Sequence, residues 1–506
     1  MDKVISSEAM RLWEQANFDA HLADPVELMY TAARGCAGIF QEFFAKYKNC
    51  RRVLIFAGHG NNGGDGVVMA SLLAEKLNVE IVLALAFPPE KLSAASRFYF
   101  EKLPRQVQVI PAAEAVIGKY DLIIDALLGT GCRQPMREPY KGLIALINQS
   151  SQPVFSVDLP SGLGSDIAVK AEMTATIGAF KDVLFTDEGI ENSGLLRLAE
   201  LPLTLAAENN DDIFAAYTQW FKAAMPEVPR NAHKYQRGSV LIAGGSQKYF
   251  HAPFLTARSA LRAGAGLVRL LVPFAVHPGD DCLSIIPTST AAEQGVFDRK
   301  SLEYIREYSA KADCIAVGPG MDRNPCSKEF IAGLLTLDKP LILDADALYF
   351  AAQMPELFQQ RRFPTVLTPH WGEAQTLATG AKITFSGDKT GFVRSLAKSY
   401  NSTVLLKGAR TMVAGVGGKV RYNTSGTPAL ATAGSGDVLT GLIAGEISRL
   451  RSSASSDNVW LAVSRGAFLH GLAGELAEEK YGTWGVIADD LPEAAAECTA
   501  RLKFFL

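Results

Sequence analysis

Two glycine-rich runs with acidic residues stand far apart in this chain of 506 residues. One is Gly60-Asn61-Asn62-Gly63-Gly64-Asp65-Gly66, and the other is Ala433-Gly434-Ser435-Gly436-Asp437. Each sits where a strand or loop hands over to a helix. Backbone N–H groups at such a junction can hold an anion, and glycine lets the ligand come close. The two amides and the carboxylate of the first run add donors suited to a hard cation. In the second run, Asp437 can reach a hydroxyl aimed at a phosphate on the loop, the layout of phosphoryl transfer to an alcohol. No G-x-x-x-x-G-K-[ST] run is present, so a P-loop is excluded. Gly58-His59-Gly60-Asn61-Asn62-Gly63 fits G-x-G-x-x-G. The next strand nevertheless ends Ala86-Phe87-Pro88, with no acid for a ribose, so the dinucleotide fingerprint fails.

Other strand ends add chemistry to each run. Asp125, followed by Leu128-Gly129-Thr130-Gly131, and Asp158, followed by Leu159-Pro160-Ser161-Gly162, belong with the first. Gly318-Pro319-Gly320, Asp344-Ala345-Asp346, Thr368-Pro369-His370-Trp371-Gly372-Glu373 and Lys407-Gly408-Ala409-Arg410-Thr411 belong with the second. Any one of these has a plainer reading: Asp125 or Asp158 as a helix cap, Asp437 as an acid in a first helical turn, His370 as a satisfied loop histidine. Acid and glycine together at several strand ends favour shared sites, because ligands of open α/β sheets gather beyond the carboxyl ends of strands.

The elements that must position these residues form two series. Apolar runs at Val53–Ala57, Ile81–Ala86, Leu122–Ala126 and Val154–Val157 read as buried strands, with a helix over Val67–Lys76 and helical sequence before residue 50. A second series has strands at Val240–Ala243, Leu267–Val272, Cys314–Val317, Leu341–Asp344, Val366–Leu367 and Val404–Leu406. Its last helices span roughly Gly436–Leu450 and Val459–Ala477. Continuous apolar runs between helices imply parallel sheets covered on both faces. Periodicity lapses around Ala206–Asp212, which puts domains at 1–212 and 213–506, more than one core usually serves.

Composition fits an enzyme. Hydrophobic residues make up 48% of the chain and charged residues 20%. A net charge of −3 gives no reason to expect nucleic acid or an anionic membrane as partner. Seven cysteines without C-x-x-C spacing suggest a reduced, cytoplasmic setting. Cys314 and Cys326 read as filler near the sheet. The first residues lack the charge and apolar pattern of a secretory leader, and no apolar run reaches transmembrane length.

Gly60–Gly66, Asp125 with Gly129-Thr130-Gly131, and Asp158-x-Pro160-Ser161-Gly162 resemble the NAD(P)H-hydrate epimerase domain. That family interconverts R and S forms of NADH and NADPH hydrated at the nicotinamide C6. The resemblance implies that Asn62, Asp125 and Ser161 hold potassium. It implies that Asn61, Asn62, Gly63, Gly64, Asp65, Gly129, Thr130, Gly131, Cys132, Arg133, Gln134, Pro135 and Asp158 line the hydrated nucleotide, NADHX or NADPHX. Asp158 is the candidate acid/base, since epimerisation moves a proton as water leaves and returns.

Gly318–Gly320, Asp344–Ala347, Leu367–Glu373 and Gly434–Gly441 resemble the ribokinase-like superfamily, and most the ADP-dependent NAD(P)H-hydrate dehydratase branch. Lys407, Gly408, Ala409, Arg410, Thr411 and Gly436 would then contact ADP. Gly320, His370 and Asp437 would contact the hydrate, with Asp437 as base and Mg²⁺ neutralising charge. Trp371 stands where proline is expected, and Ala433 where glycine is frequent. Both halves in this order resemble the bifunctional NAD(P)H-hydrate repair family. The fold expected is two three-layer α/β/α domains, Rossmann-like then ribokinase-like, in a homo-oligomer of four or more chains. The rival is a ribokinase-like kinase of a vitamin precursor behind a non-catalytic binding domain. The fused first domain and its retained ion ligands argue against it.

Overall fold

A computed structural model describes residues 3–132, 134–204, 212–224, 228, 230–275, 284–290, 292 and 295–504. The chain divides into two compact units, 1–215 and 216–506. The sequence-based boundary after residue 212 lies three residues earlier, and most of the stretch that suggested it, 205–211, is outside the described residues.

Among the described residues, the main sheet of the first unit has seven strands: β1 (Arg52–Ala57), β2 (Glu80–Leu85), β3 (Gln108–Pro111), β4 (Leu122–Ala126), β5 (Val154–Val157), β6 (Met173–Ile177) and β7 (Leu195–Ala199). They run β3-β2-β1-β4-β5-β6-β7, all parallel. Strand order reverses between β1 and β4, which opens a crevice at their carboxyl ends. Along β1, Val53, Ile55 and Ala57 face one core and Leu54 and Phe56 the other. The first core takes in the helices Pro25–Phe44 and Asn61–Lys76, and the second takes in Tyr140–Asn148. This two-sided burial makes the three layers and explains why β1 reads as an unbroken apolar run. Phe40 meets Phe155 edge to face at 5.3 Å. Each such buried ring contributes about 1.5–3 kcal/mol by burial. A separate short parallel pair, Val4–Ile5 with Phe180–Lys181, ties the chain start to the segment that follows β6.

The second unit, from Ser239 onward, holds β8 (Ser239–Ala243), β9 (Leu267–Val272), β10 (Ile285–Ser289), β11 (Cys314–Val317), β12 (Leu341–Leu343), β13 (Thr365–Leu367), β14 (Thr403–Leu406), β15 (Met412–Ala414) and β16 (Val420–Asn423). Their order is β16-β15-β14-β13-β12-β11-β8-β9-β10. The pairs from β14 to β10 are parallel, and β14-β15-β16 is an antiparallel meander. Order reverses between β8 and β11. The helix Ser435–Ser448 covers one face, and the Cys314 thiol donates to its Ala444 carbonyl at 3.3 Å. It lies tight against Ala252–Arg262. A Cβ on Gly441 would fall 2.2 Å from the Thr256 carbonyl oxygen.

Several expectations need correction. The first helix of the sheet starts at Asn61, not Val67, so the glycine run is its first turn. Strands β3, β6, β7, β10, β15 and β16 gave no clear sequence signal: they are short, sit toward sheet margins or belong to the meander. The late helices are Ser435–Ser448 and Ser456–Tyr481, and Leu491–Phe504 follows them. Cys326 is exposed, unlike Cys314, because it precedes a helix on the surface.

Candidate active sites

In the first unit the crevice is a cleft of about 370 Å³. Gly60, Asn61, Asn62 and Asp65 reach it from the helix start, Gly129–Gly131 from the loop after β4, and Asp158 from the end of β5. The turn after β1 is closed by contact. A Cβ on Gly63 would lie 1.9 Å from the Gly58 carbonyl oxygen, and one on Gly58 would lie 2.0 Å from that of Leu127. Gly63 and Gly64 therefore pack the helix start rather than line the cleft. Neither Cys132, Gln134 nor Pro135 lines it, and the Gln134 amide instead donates to the Gly164 carbonyl. Arg133 is outside the described residues.

Asp125 is fully buried, and all its hydrogen-bond donors are neutral. The Ser161 hydroxyl donates at 2.6 Å, the Ser161 N–H at 2.8 Å, the Ser156 hydroxyl at 2.9 Å and the Leu127 N–H at 3.3 Å. The Ser161 oxygen also accepts from the Leu128 N–H at 2.8 Å. Next to Leu128, a Cβ on Gly129 would stand 3.4 Å from the Asn62 carboxamide and 2.6 Å from the Asp158 carboxylate. Both polar atoms of the Asn62 amide are buried and make no hydrogen bond. An orphaned amide oxygen and a buried carboxylate with only neutral hydrogen-bond donors are the kinds of oxygen ligand a monovalent cation takes. Asn62, Asp125 and Ser161 thus fit the group their resemblance implies. Neither Asp125 nor Asp158 caps a helix.

Asp158 has a positive φ of 67°. That is a strained conformation for a residue with a side chain. Its carboxylate accepts from the Lys181 ammonium at 2.5 Å. Lys181, 1% exposed, also donates to the Ile177 carbonyl at 2.6 Å and the Thr176 hydroxyl at 3.2 Å. Sequence reasoning missed Lys181, since 23 positions separate it from its partner and no motif marks it. It also missed Glu14, which reaches the cleft from the helix Ser7–Asp19. Burial and the Asp158 charge push the Glu14 carboxyl to about 7, against the Lys181 charge. Asp65, still more deeply buried and facing Asp158 and Glu14, is pushed well above the usual carboxylate range.

In the second unit, Asp344, 1% exposed, is the hub. It accepts from the Lys407 ammonium, the Thr368 hydroxyl and the Thr440 hydroxyl, each at 2.7 Å. Burial opposes its charge, yet Lys407 and these hydrogen bonds hold its carboxyl below the usual range. Lys407 is set by its own N–H, which donates to the Pro369 carbonyl at 2.9 Å. A Cβ on Gly436 would lie 3.4 Å from its ammonium. The helix Ser435–Ser448 starts after Gly434, whose φ is 88°. That conformation favours glycine. Burial, then the Asp344 charge, push Asp437 to about 7, partly offset by Lys407. A cation beside free helix N–H groups, with a carboxyl poised near neutrality, can cradle a phosphate and take a proton.

The remaining residues fall into place unevenly. Gly320 has a φ of 67°, and a Cβ there would meet the Tyr249 carbonyl oxygen at 2.6 Å. His370 caps the helix Trp371–Gly380: its Nδ1 accepts from the Gly372 and Glu373 N–H groups at 3.0 and 3.3 Å. Its side chain is 62% exposed, and its Nε2 lies 3.5 Å from Glu373 Oε1. Trp371 packs on Phe385 and Phe392, a role proline could not fill. Gly408 and Ala409 are exposed, Arg410 is buried, and the Thr411 hydroxyl donates to the Gly408 carbonyl at 3.0 Å.

Fold and sites together define an α/β enzyme with a carboxylate-bearing glycine turn at a helix start in each unit. Residues 25–183 match the family model described as YjeF-related protein N-terminus, and residues 240–496 match that described as NAD(P)H-hydrate dehydratase. The chain is 34% identical to the bifunctional NAD(P)H-hydrate repair enzyme of Salinibacter ruber, over 98% of this chain and 96% of that protein. It is 31% identical to that of Escherichia coli, over 92% and 88%. Among solved structures, the ADP/ATP-dependent NAD(P)H-hydrate dehydratase of Bacillus subtilis is 23% identical, covering 56% of this chain and 97% of that one, with a TM-score of 0.42. The chain belongs to the bifunctional NAD(P)H-hydrate repair enzymes.

Proposed function

We propose that residues 1–212 epimerise the R and S hydrates of NADH and NADPH and that residues 213–506 dehydrate the S form with ADP. The observation that carries the reading is Asp437, held near neutrality beside Lys407 and the glycine turn at Gly434–Gly436. Asp437 takes the proton from the C6 hydroxyl of the hydrate. That oxygen attacks the terminal phosphorus of ADP, and the bond to AMP breaks. Loss of the C5 proton and of phosphate from C6 then restores the reduced ring. Lys407 and the N–H groups at the helix start stabilise charge on the transferred phosphoryl group. Mg²⁺ bound to the nucleotide phosphates, its usual mode of binding, would neutralise their charge there.

In the first unit, Asn62, Asp125 and Ser161 would hold potassium, which supplies positive potential beneath the cleft when bound. Asp158, oriented by Lys181, moves the proton. Racemic hydrate incubated with ADP or ATP, while reduced-nicotinamide absorbance is followed, tests the reading. Full recovery of absorbance with AMP formed from ADP supports it. Phosphorylation of a vitamin precursor with no recovery would favour the kinase reading instead.

A further inference from the structure

The first unit's cleft holds more acid chemistry than one acid/base residue needs. Glu14, Asp65 and Asp158 all face it, with Lys181, Arg11, His59 and Tyr140 as the other titratable or charged groups on its walls. Asp158 is ion-paired to Lys181, and Asp65, on the helix that begins at Asn61, is 7% exposed. Glu14 reaches the cleft from a different element, and the fold places it with care. Ile5 pairs in register with Lys181, the Ser6 hydroxyl caps the helix by accepting from the Ala9 N–H at 3.1 Å, and Met10 packs against Gly178. Glu14 follows Met10 by one turn on the same face, so the tether that fixes the helix also delivers this carboxyl to the Lys181–Asp158 pair.

Exchange of a hydroxyl between the two faces of a ring carbon needs a proton given to the departing oxygen and another taken from the arriving water. We propose that Glu14 is the second proton-transfer residue of epimerisation, acting from the N-terminal helix while Asp158 acts from the sheet edge. This rests on the epimerase reading of the first unit. Protonated Glu14 gives its proton to the C6 hydroxyl. The C6–O bond breaks, water leaves with the electron pair, and the ring nitrogen lone pair forms the C=N bond of an iminium. Water adds to C6 from the other face as that pair returns to nitrogen, and the Asp158 carboxylate takes its proton. Water is conserved and nothing is oxidised. Glu14 ends ionised and Asp158 protonated, ready for the reverse direction, and exchange with solvent resets them. Burial and the neighbouring Asp158 keep the Glu14 carboxyl near 7, so both of its states are populated at neutral pH.

The test is full-length Glu14→Gln, which keeps size and hydrogen-bonding shape, with Glu14→Asp as the conservative variant. Wild-type epimerisation in the direction that uses Glu14 as acid should fall as pH rises past about 7. Glu14→Gln should slow epimerisation on the order of 100- to 10,000-fold and remove that limb. Dehydration of the S hydrate should stay unchanged and the unfolding midpoint should not fall, and Glu14→Asp should restore part of the rate together with a limb. A Glu14→Gln enzyme with wild-type rate and pH profile would overturn the proposal. So would an equal, pH-independent loss in both variants, which would mark a merely structural residue. A wild-type enzyme that dehydrates S hydrate but never epimerises R would overturn the epimerase reading itself, whatever Glu14 does.

Discussion

Asp437→Asn should abolish dehydration and at the same time make the protein more stable. The cause is the cost of keeping a buried carboxylate ionised in a site built for chemistry. Burial and Asp344 raise its carboxyl from 3.8 to about 7 in the folded state. In the unfolded chain it titrates near its ordinary value. Between these values the folded state binds a proton that the unfolded state has released, so stability falls as pH rises through about 4 to 7. Above 7 both states are ionised and the cost is constant. At about 1.36 kcal/mol per tenfold change, the upper bound is about 4 kcal/mol. Partial exposure and solvent screening reduce it to about 2 kcal/mol. Asparagine carries no charge and avoids this cost. Denaturant unfolding of wild type and variant at pH 4, 6 and 8 is the assay. The two should be nearly equal at pH 4, and the variant should lead by about 2 kcal/mol at pH 8. Dehydration by wild type should rise with pH through about 7, while the variant loses on the order of 100- to 10,000-fold. Equal stabilities at pH 8, or a lead that does not grow from pH 4 to 8, would refute the desolvation argument. Activity retained in Asp437→Asn would refute its role as base.

Asp125→Ala leaves two serine hydroxyls and the Ser161 N–H without their acceptor. It should cost about 3 kcal/mol and remove the dependence of epimerisation on potassium, with tetramethylammonium as control. Epimerisation indifferent to both the ion and the residue would remove the cation site. Gly63→Ala drives a methyl to 1.9 Å from the Gly58 carbonyl oxygen. That overpacking should destabilise the first unit by about 2 kcal/mol, read by denaturant unfolding, and a neutral result would contradict the turn geometry. Residues 213–506 expressed alone should consume only S hydrate with ADP, and adding residues 1–212 should carry the reaction to completion. Consumption of both epimers by the isolated C-terminal fragment would show that the first unit is not the epimerase.

Much was legible in the sequence. Unbroken apolar strands such as Val53–Ala57 announce burial on both faces, because a solvated face would impose alternation. Glycine and acid at strand ends announce ligand sites, because only there do backbone N–H groups and short side chains converge. Asn62, Asp125, Ser161 and Asp437 could therefore be named from local pattern and resemblance. Tertiary structure decided the rest. Lys181 joins Asp158, and Glu14 joins them both, through a two-residue strand pairing that no local periodicity records. Lys407, Thr368 and Thr440 meet on Asp344 from three different elements. The glycines of the first run also had to be sorted by contact, since Gly63 and Gly64 pack while Gly60 faces the cleft. A sequence states which groups are available. The dielectric and charges around each, which set whether Asp437 and Glu14 hold a proton at neutral pH, exist only once distant segments have excluded water from them.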